Sequence, residues 1–245
     1  MQQIKNSTNE ILIAKYIDLK HPFRVLDLGC GNFLRNSEII EDSLKYDAID
    51  KFDILKSIRC DLTRDIKDKE LDPEQAELLM DTILPKDDLY EYYKFYVKEI
   101  RKKEPITKEK FDKKFRFVCS EIGIRSKKSS QKYDLIIISK CLSHILKSDP
   151  IQPEDIIKNS KFLLNPGGKI FLRLNGEGYP ESDIRTILEG SSSIFQIFDF
   201  KRVTKISEFL NVSGDLFKIP VSRHLFNGID TWFEYILIHE NENKI

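Results

Sequence analysis

Residues 24–33 combine an apolar run with an acid and two glycines, a pattern that can hold a nucleotide-like ligand. The stretch is Arg-Val-Leu-Asp-Leu-Gly-Cys-Gly-Asn-Phe, so Asp27 ends the apolar run and a turn with Gly29 and Gly31 follows. Glycine at these positions permits a sharp turn from a strand to a helix and lets the backbone approach a ligand without a Cβ in the way. By itself the turn predicts only a candidate pocket for a dinucleotide or a nucleoside.

A second acid follows at the end of the next predicted strand. Asp50 lies 19 residues beyond Gly31 and ends the short strand 46–50. A carboxylate at this place accepts hydrogen bonds from ribose hydroxyls in nucleoside-binding sheets, which favours that role over an ordinary loop acid. Phe52 offers a flat apolar surface on which an adenine can lie, and a buried core phenylalanine is an equally good interpretation.

Strands alternate with helices along most of the chain, which predicts a doubly wound α/β sheet. Ser7 and Glu10 match a capping box ahead of a leading helix, a helix over 35–43 follows the glycine turn, and Asn165-Pro166-Gly167-Gly168 ends a helix that begins at Pro153. A further helix is predicted over 181–188. The predicted strands outside the middle of the chain are 23–28, 46–50, 135–139, 169–174, 195–203 and 231–238.

The segment of about 62–115 interrupts this alternation, and we interpret it as a helical insert, or lid, within a single domain of residues 1–245. Asp72-Pro73 begins one predicted helix, Asp87-Asp88 a second that runs to about Lys103, and Thr107 a third. Five aromatic residues within seven positions cannot share one helix face, and the excess predicts an acceptor pocket or a dimer contact. These residues are Tyr90, Tyr92, Tyr93, Phe95 and Tyr96.

The charges of the chain cancel overall but are unevenly distributed. Forty basic and forty acidic residues argue against a polycationic nucleic-acid binder. Residues 61–91 contain 11 acids and 4 bases, a net of −7, whereas residues 98–132 contain 13 bases and 5 acids, a net of +8. Mutual neutralisation of neighbouring helices is the favoured interpretation, and the alternative is a basic face that meets an anionic substrate such as RNA.

Targeting and metal-binding signals are absent from the sequence. The first residues have no apolar core of a signal peptide and no apolar run reaches 18 residues, so we expect a soluble, cytoplasmic protein with no membrane partner. The four cysteines show no CxxC pairing and no partnering histidine, so we expect reduced thiols and no metal site. We expect Cys119 and Cys141 to pack in or beside strands and Cys30 to lie in the glycine turn.

Several motifs occur in the order that is typical of one enzyme family. Val25–Gly31, Asp50, Tyr133–Ser139, His144 and Leu164–Gly168 together resemble class I S-adenosylmethionine-dependent methyltransferases. The stretch Gly-Cys-Gly-Asn-Phe-Leu-Arg-Asn-Ser, followed by Tyr-Asp-Ala-Ile-Asp-Lys, is most similar to the tellurite-resistance and thiopurine-type small-molecule branch. The resemblance implies a Rossmann-like methyltransferase fold, with seven mostly parallel strands, an antiparallel last strand and a helical insertion. It covers about 23–53 and 115–175, matches the C-terminal strands loosely, and does not extend to the insert.

The resemblance also implies which residues bind the cofactor S-adenosylmethionine. Asp27 and the backbone of the glycine turn would hold its methionine end, Asp50 its ribose, and the backbone around Ser139 its amino acid portion. Phe33-Leu34 replaces the usual third glycine or small residue, which displaces the expected start of the next helix. The predicted cofactor-binding residues are Asp27, Gly29, Cys30, Gly31, Asn32, Asp50, Lys51, Phe52, Glu121, Ile122, Ser139 and Lys140.

Two segments compete for the third strand, whose end should carry the acid that meets the adenine amino group. Residues 116–120 precede Glu121, and residues 58–60 precede Asp61. We favour Glu121 because Phe115, Phe117 and Cys119 alternate as strand residues do.

Methyl transfer from a sulfonium requires mainly orientation and exclusion of water, and a general base only when the acceptor must lose a proton. His224 and Tyr179 are the candidate catalytic residues, while His144 fits a structural role. The sequence therefore predicts a methyltransferase that acts on a small molecule. RNA is the alternative acceptor, and a non-catalytic cofactor-binding protein is the alternative class. A nicotinamide-dependent dehydrogenase is disfavoured because Leu34 stands where its third glycine belongs.

Overall fold

A mostly parallel sheet forms the centre of the computed structural model. The structure describes residues 9–67, 72–120, 131–139, 141, 155–156, 159–160, 162–175, 216–225 and 228–240. Five strands lie parallel to their neighbours in the order β3-β2-β1-β4-β5. Their bounds are β1 Arg24–Leu28, β2 Lys45–Asp50, β3 Phe115–Cys119, β4 Tyr133–Ser139 and β5 Leu164–Asn175. The prediction of a mostly parallel α/β sheet is confirmed.

Two long strands extend the sheet beyond β5. β7 (Gly228–Glu240) pairs antiparallel with β5, and β6 (Leu216–Leu225) pairs antiparallel with β7. The sequence predicts a strand over 231–238, which lies within β7, and predicts no strand over the residues of β6. The other predicted elements of this region, the helix 181–188 and the strand 195–203, lie outside the described residues.

Six helices are described, and three of them, α4 to α6, lie in the segment 62–115 that the sequence predicts to be an insert. Their bounds are α1 Asn9–Tyr16, α2 Ser37–Asp42, α3 Ile54–Lys67, α4 Pro73–Leu78, α5 Leu89–Phe95 and α6 Lys108–Lys114. A 3₁₀ turn, Phe33–Asn36, leads into α2, and turns of π-helix, Leu79–Ile83 and Tyr96–Ile100, continue α4 and α5. No helix among the residues described above is long and apolar enough to cross a bilayer.

The insert helices begin where the sequence predicts. Asp72 accepts a hydrogen bond from the Gln75 backbone N–H at 2.8 Å, in a complete capping box. Asp88 caps α5 by accepting the Tyr90 N–H at 2.9 Å, and Thr107 caps α6 by accepting the Lys110 N–H at 3.4 Å. These starts were predictable because an N-cap satisfies backbone donors within its own first turn, independently of tertiary structure.

The alternative assignment of the third strand to residues 58–60 is wrong. These residues lie in α3, whose Ile54, Ile58 and Leu62 recur every fourth position and are buried along one face. The third strand is β3, as the alternation of Phe115, Phe117 and Cys119 predicts. The acid that follows it, Glu121, lies outside the described residues.

The Asn-Pro-Gly-Gly turn does not separate a helix from β5 but lies within that strand. Leu164 pairs with Tyr133 and Lys169 pairs with Leu135, so residues 165–168 have no paired residues in β4 and form a bulge in β5. Gly167 has a φ of +74°, and a Cβ on Gly168 would lie 2.9 Å from the Tyr133 carbonyl oxygen. Both glycines are therefore required by the backbone.

The aromatic residues of the insert pack inward, so the prediction that their excess lines a pocket or a dimer contact is wrong. Tyr92, Tyr93, Phe95 and Tyr96 are buried, and the hydroxyl of the partly buried Tyr90 donates to a backbone carbonyl at 3.0 Å. Helix α5 accommodates them because neighbouring elements cover more than one of its faces. The Tyr92 hydroxyl accepts a hydrogen bond from Nε of Arg59, in α3, at 2.9 Å. The Tyr93 hydroxyl donates to Glu41, in α2, at 2.5 Å.

Candidate functional site

The candidate site lies at the carboxyl ends of β1, β2 and β4. The chain leaves β1 towards β2 and leaves β4 towards β5, so the sheet order reverses between β1 and β4. In open α/β sheets, ligands bind in the crevice outside the strand ends at such a reversal. The glycine turn that follows β1 lies at this crevice.

The glycine turn is anchored on one side and open on the other. The backbone N–H groups of Gly29 and Cys30 donate to the Ile49 carbonyl at 2.7 and 3.2 Å, which fixes the turn against β2. Gly29 and Gly31 have φ values of 69° and 47°, in the left-handed region that favours glycine. A Cβ built on Gly31 would meet nothing within 4 Å, so the turn leaves room for a ligand to approach its backbone.

Asp50 connects the end of β2 to this turn. Its Oδ2 accepts the Gly31 N–H at 2.9 Å and its Oδ1 accepts the Phe52 N–H at 3.0 Å. These bonds orient the carboxylate and use one acceptor position on each oxygen, whereas an ionised carboxylate offers about four in all. The remaining positions suit the two hydroxyls of a ribose.

Phe52 presents an exposed aromatic ring beside Asp50. Its exposed fraction is 57%, so the interpretation as a buried core residue is wrong. The Lys51 ammonium lies 5.3 Å from the ring centroid. The Ser120 N–H donates to the Asp50 carbonyl at 2.9 Å, which brings the end of β3 alongside. An exposed ring next to an oriented carboxylate fits a base and its ribose.

Asp27 supports the turn from within the core. Its Oδ2 accepts hydrogen bonds from the Tyr46 hydroxyl at 2.5 Å and from the Asn36 amide at 3.0 Å. Burial raises the pKa of Asp27 to about 7, against the opposing effect of these two bonds. The Asn36 Oδ1 is buried and has no hydrogen-bond partner within the described residues. Direct contact between Asp27 and a ligand stays a prediction.

The two cysteines near the site, Cys30 and Cys141, are buried, and burial makes their thiols unreactive. Burial raises the pKa of the Cys30 and Cys141 thiols, so both stay protonated near neutral pH. The Cys141 thiol donates to the Leu28 carbonyl at 3.2 Å, which connects the end of β4 to β1. All four cysteines are free. Cys119 lies in β3, as predicted, but is exposed, whereas Cys141 is buried beside β4. No cluster of potential metal ligands occurs in the described part of the chain.

Three residues meet at the ends of β4 and β5. The Asn9 Oδ1, from α1, accepts hydrogen bonds from the Ser139 hydroxyl at 3.0 Å and from the Arg173 guanidinium at 3.1 Å. Ser139 and Arg173 are partners in the register of the two strands. Asn9 and Arg173 were not predicted from the sequence, because their positions join elements that are far apart along the chain.

The other predicted site residues are placed as follows. The Asn32 side chain accepts the Leu34 N–H at 3.2 Å and begins the 3₁₀ turn. His224 lies in β6, opposite Ile229 of β7. Glu121, Ile122, Lys140, His144 and Tyr179 lie outside the described residues.

Comparison with known proteins identifies one family. A family model described as a methyltransferase domain matches residues 5–189, which is more than half of the chain. A search of curated proteins found no significant match.

Solved structures of several methyltransferases match most of the chain at low similarity. The N-methyltransferase NodS from Bradyrhizobium japonicum WM9, in complex with S-adenosyl-L-homocysteine, is 10% identical with a TM-score of 0.47, over 96% of this chain and 83% of that one. An rRNA methylase from Streptococcus thermophilus is 10% identical with a TM-score of 0.42, over 91% and 89%. A precorrin-6y C5,15-methyltransferase from Geobacter metallireducens GS-15 is 11% identical with a TM-score of 0.47, over 98% and 92%. Since these values are low, the family assignment does not depend on them.

Proposed function

Because the chain belongs to the family of methyltransferase domains, we propose that it transfers a methyl group from S-adenosylmethionine to a small-molecule acceptor. One arrangement carries the proposal: Asp50 accepts the Gly31 N–H of an open glycine turn and stands beside the exposed ring of Phe52. This arrangement offers acceptors for a ribose, a surface for a base, and a backbone that a ligand can approach.

The residues present fit the proposed cofactor. Asp50 would bind the ribose hydroxyls, Phe52 would pack on the adenine, and the backbone of residues 29–32 would face the methionine portion, with Ser139 on the opposite side of the crevice. Glu121 would meet the adenine amino group, and the backbone around Ser139 and Lys140 would face the amino acid portion of the cofactor. Lys51 and Ile122 stay predicted cofactor-binding residues. Asp27 would hold the methionine end of the cofactor from the core side of the glycine turn, where Tyr46 and Asn36 donate hydrogen bonds to its carboxyl group.

The chemistry asks the protein for orientation more than for proton transfer. Bound in this pocket, S-adenosylmethionine would supply a methyl group activated by its sulfonium, with the thioether as leaving group after in-line attack by the acceptor. The chain would contribute alignment and exclusion of water, effects that account for roughly 7–11 kcal/mol of a barrier in well-oriented systems. Tyr179 and His224 remain the candidates for a general base, which is needed only if the acceptor must lose a proton.

The charges of the insert support a small acceptor over RNA. Lys103 pairs with Glu38, Lys108 pairs with Asp88 at 2.6 Å, and Arg116 pairs with Asp47 at 2.8 Å. Lys114 donates to backbone carbonyl oxygens at the end of α2. These four basic residues therefore have partners within the protein. Lys103 and Arg116 pair with acids of α2 and β2, and Lys108 pairs with an acid of the stretch 61–91. On an RNA-binding face, such cations would be available to the phosphates of the RNA.

The finer classification is part of the same proposal. The residues from Gly29 to Ser37 and from Tyr46 to Lys51 support the tellurite-resistance and thiopurine-type branch. The antiparallel pairing of β7 with β5 supports the complete seven-stranded form of the methyltransferase sheet.

Calorimetric titration with S-adenosylhomocysteine tests the proposal. The wild type should bind, and Asp50→Ala should bind at least about tenfold more weakly, since the oriented ribose acceptor is lost. Asp61→Ala is the matched control, because Asp61 lies in α3 and its removal should leave affinity unchanged. Equal affinity of the wild type and Asp50→Ala would overturn the assigned site, and binding without turnover of any small acceptor would favour a non-catalytic cofactor-binding protein.

A further inference from the structure

A buried ion pair joins the insert to the first helix. Arg101, directly after the π-turn that continues α5, places its NH2 2.7 Å from Glu10 Oε2 and 2.6 Å from Glu38 Oε1. The exposed fraction of Glu10 is 3%, so its carboxylate depends on protein partners in place of water. These two contacts connect three elements: the insert, α1 and α2.

Glu10 also caps the helix that follows the glycine turn. Its Oε1 accepts the Glu38 backbone N–H at 2.7 Å and the Ser37 hydroxyl at 3.3 Å. Ser37 and Glu38 form the first turn of α2, whose unpaired N–H groups and positive dipole end favour a carboxylate. Asn36 supplies no side-chain cap to this helix, so α1 provides the acceptor from outside.

The residue next to Glu10 reaches the candidate cofactor site. Asn9 accepts hydrogen bonds from Ser139 and Arg173 at the ends of β4 and β5. The first turn of α1 thus has two attachments, one to the helix of the glycine turn and one to the opposite side of the crevice. A change in the position of α1 would alter both.

The helix that carries Arg101 ends directly after it. Lys102 has a φ of +55°, the only non-glycine residue in the left-handed region within the described part of the chain. It follows the C-cap Arg101, and the Lys103 N–H donates to the Val97 carbonyl at 3.0 Å, as at many helix ends. This end of the helix brings Arg101 and Lys103 to Glu38, which both residues contact.

We propose that Arg101 is a positioning residue for the cofactor: by pairing with Glu10, it holds the first turn of α1 against α2 and against Ser139. The inference rests on the proposed function and adds that the insert controls cofactor affinity through α1. No contact between Arg101 and the cofactor is required.

The pH dependence of affinity distinguishes this role from general support of the fold. The charged groups around Glu10 are Arg101 and Glu38, with Lys103 on the far side of Glu38 and Tyr96 beside Arg101. Burial raises the pKa of Glu10 to about 7 even with Arg101 present, and loss of Arg101 removes an effect that lowers it. Well below pH 7, Glu10 is mostly neutral in both proteins, so the loss of Arg101 leaves no unpaired charge. Well above pH 7, ionised Glu10 pairs with Arg101 in the wild type, whereas in Arg101→Met its ionisation leaves a buried carboxylate without that partner.

The test is the dissociation constant of S-adenosylhomocysteine at pH 6 and pH 8.5 for Arg101→Met. We expect near-wild-type affinity at pH 6 and a loss of about tenfold at pH 8.5, within the range of roughly 5–150-fold typical of coupling between sites. The double variant Glu10→Gln/Arg101→Met should regain affinity at pH 8.5, because no charge is then left unpaired. Lys103→Met is the matched control: it removes a cation from Glu38, leaves Glu10 paired, and should bind as the wild type does.

Several results would overturn the proposal. The proposal is wrong if Arg101→Met and the wild type bind S-adenosylhomocysteine equally at both pH values. It is also wrong if Arg101→Met loses the same factor of affinity at pH 6 as at pH 8.5. If Arg101→Met unfolds at pH 8.5, recovery of folding in the double variant supports the pairing, and failure of both variants contradicts it. If the wild type binds no S-adenosylhomocysteine, the proposed function fails. The pairing of Arg101 with Glu10 is then tested by hydrogen exchange of α1. Exchange should be faster in Arg101→Met than in the wild type at pH 8.5, and equal exchange in the two proteins would contradict the pairing.

Discussion

The buried carboxyl of Asp27 predicts that the protein loses stability as the pH rises from 4 to 7. Burial raises its pKa from the ordinary 3.8 to about 7, so the folded state keeps a proton that the unfolded chain releases. In this window the unfolded state binds fewer protons, and the free energy of unfolding therefore decreases with pH. At about 1.36 kcal/mol per pH unit, the difference amounts to at most about 4 kcal/mol.

Urea unfolding at pH 5, 6, 7 and 8 measures this effect. For Asp27→Asn the decrease between pH 5 and pH 8 should be smaller by roughly 2–3 kcal/mol, since an amide does not ionise and about two pH units of the window lie above pH 5. The amide oxygen can still accept from Tyr46 and Asn36, so the variant should fold. Asp53→Asn, at an exposed acid that caps α3, is the control and should show the wild-type pH dependence.

Two results would refute this reasoning. The first is a free energy of unfolding that rises between pH 5 and pH 8 in the wild type. The second is the same pH dependence in Asp27→Asn as in the wild type, which would mean that Asp27 is ionised in the folded protein throughout.

Three further predictions concern stability, and urea unfolding at pH 7 checks each. Gly168→Ala should destabilise by roughly 1–3 kcal/mol, because the new Cβ would lie 2.9 Å from two backbone oxygens. Gly31→Ala has open space but a φ of +47°, so it should cost about 1 kcal/mol. A larger loss of stability in Gly31→Ala than in Gly168→Ala would contradict the geometry. Tyr46→Phe should cost roughly 1–3 kcal/mol by removing the 2.5 Å bond to a buried carboxyl; an unchanged midpoint would show that this bond contributes nothing. Asp72→Ala should cost about 1 kcal/mol through loss of the capping box, and no effect would indicate that α4 frays regardless.

Features that depend on neighbours in sequence were predictable. Buried parallel strands such as β4 appear as unbroken apolar runs, and N-caps such as Asp72, Asp88 and Thr107 satisfy donors within one turn. The glycine turn and Asp50 also follow this rule, since adjacent parallel strands necessarily bring their carboxyl ends to one edge. Helix α3 had a signal that was missed, because Ile54, Ile58 and Leu62 recur every four residues.

Features that join distant segments were not predictable from one sequence. Arg101 and Glu10 are 91 positions apart, and Ser139 and Asn9 are 130 apart. Nothing local distinguishes Arg101 from its basic neighbours, and the tertiary structure alone selects it as the partner of a buried acid. The aromatic residues of α5 were misinterpreted for a similar reason, since a helix covered on more than one face buries more than one stripe.

A crystal structure of the protein with S-adenosylhomocysteine tests the central claim most directly. The account predicts that both ribose hydroxyls lie within hydrogen-bond distance of the Asp50 carboxylate, with the adenine ring on Phe52 and the homocysteine portion over Gly29–Gly31. Density for the nucleoside at any other edge of the sheet, or a ribose without contact to Asp50, would contradict it.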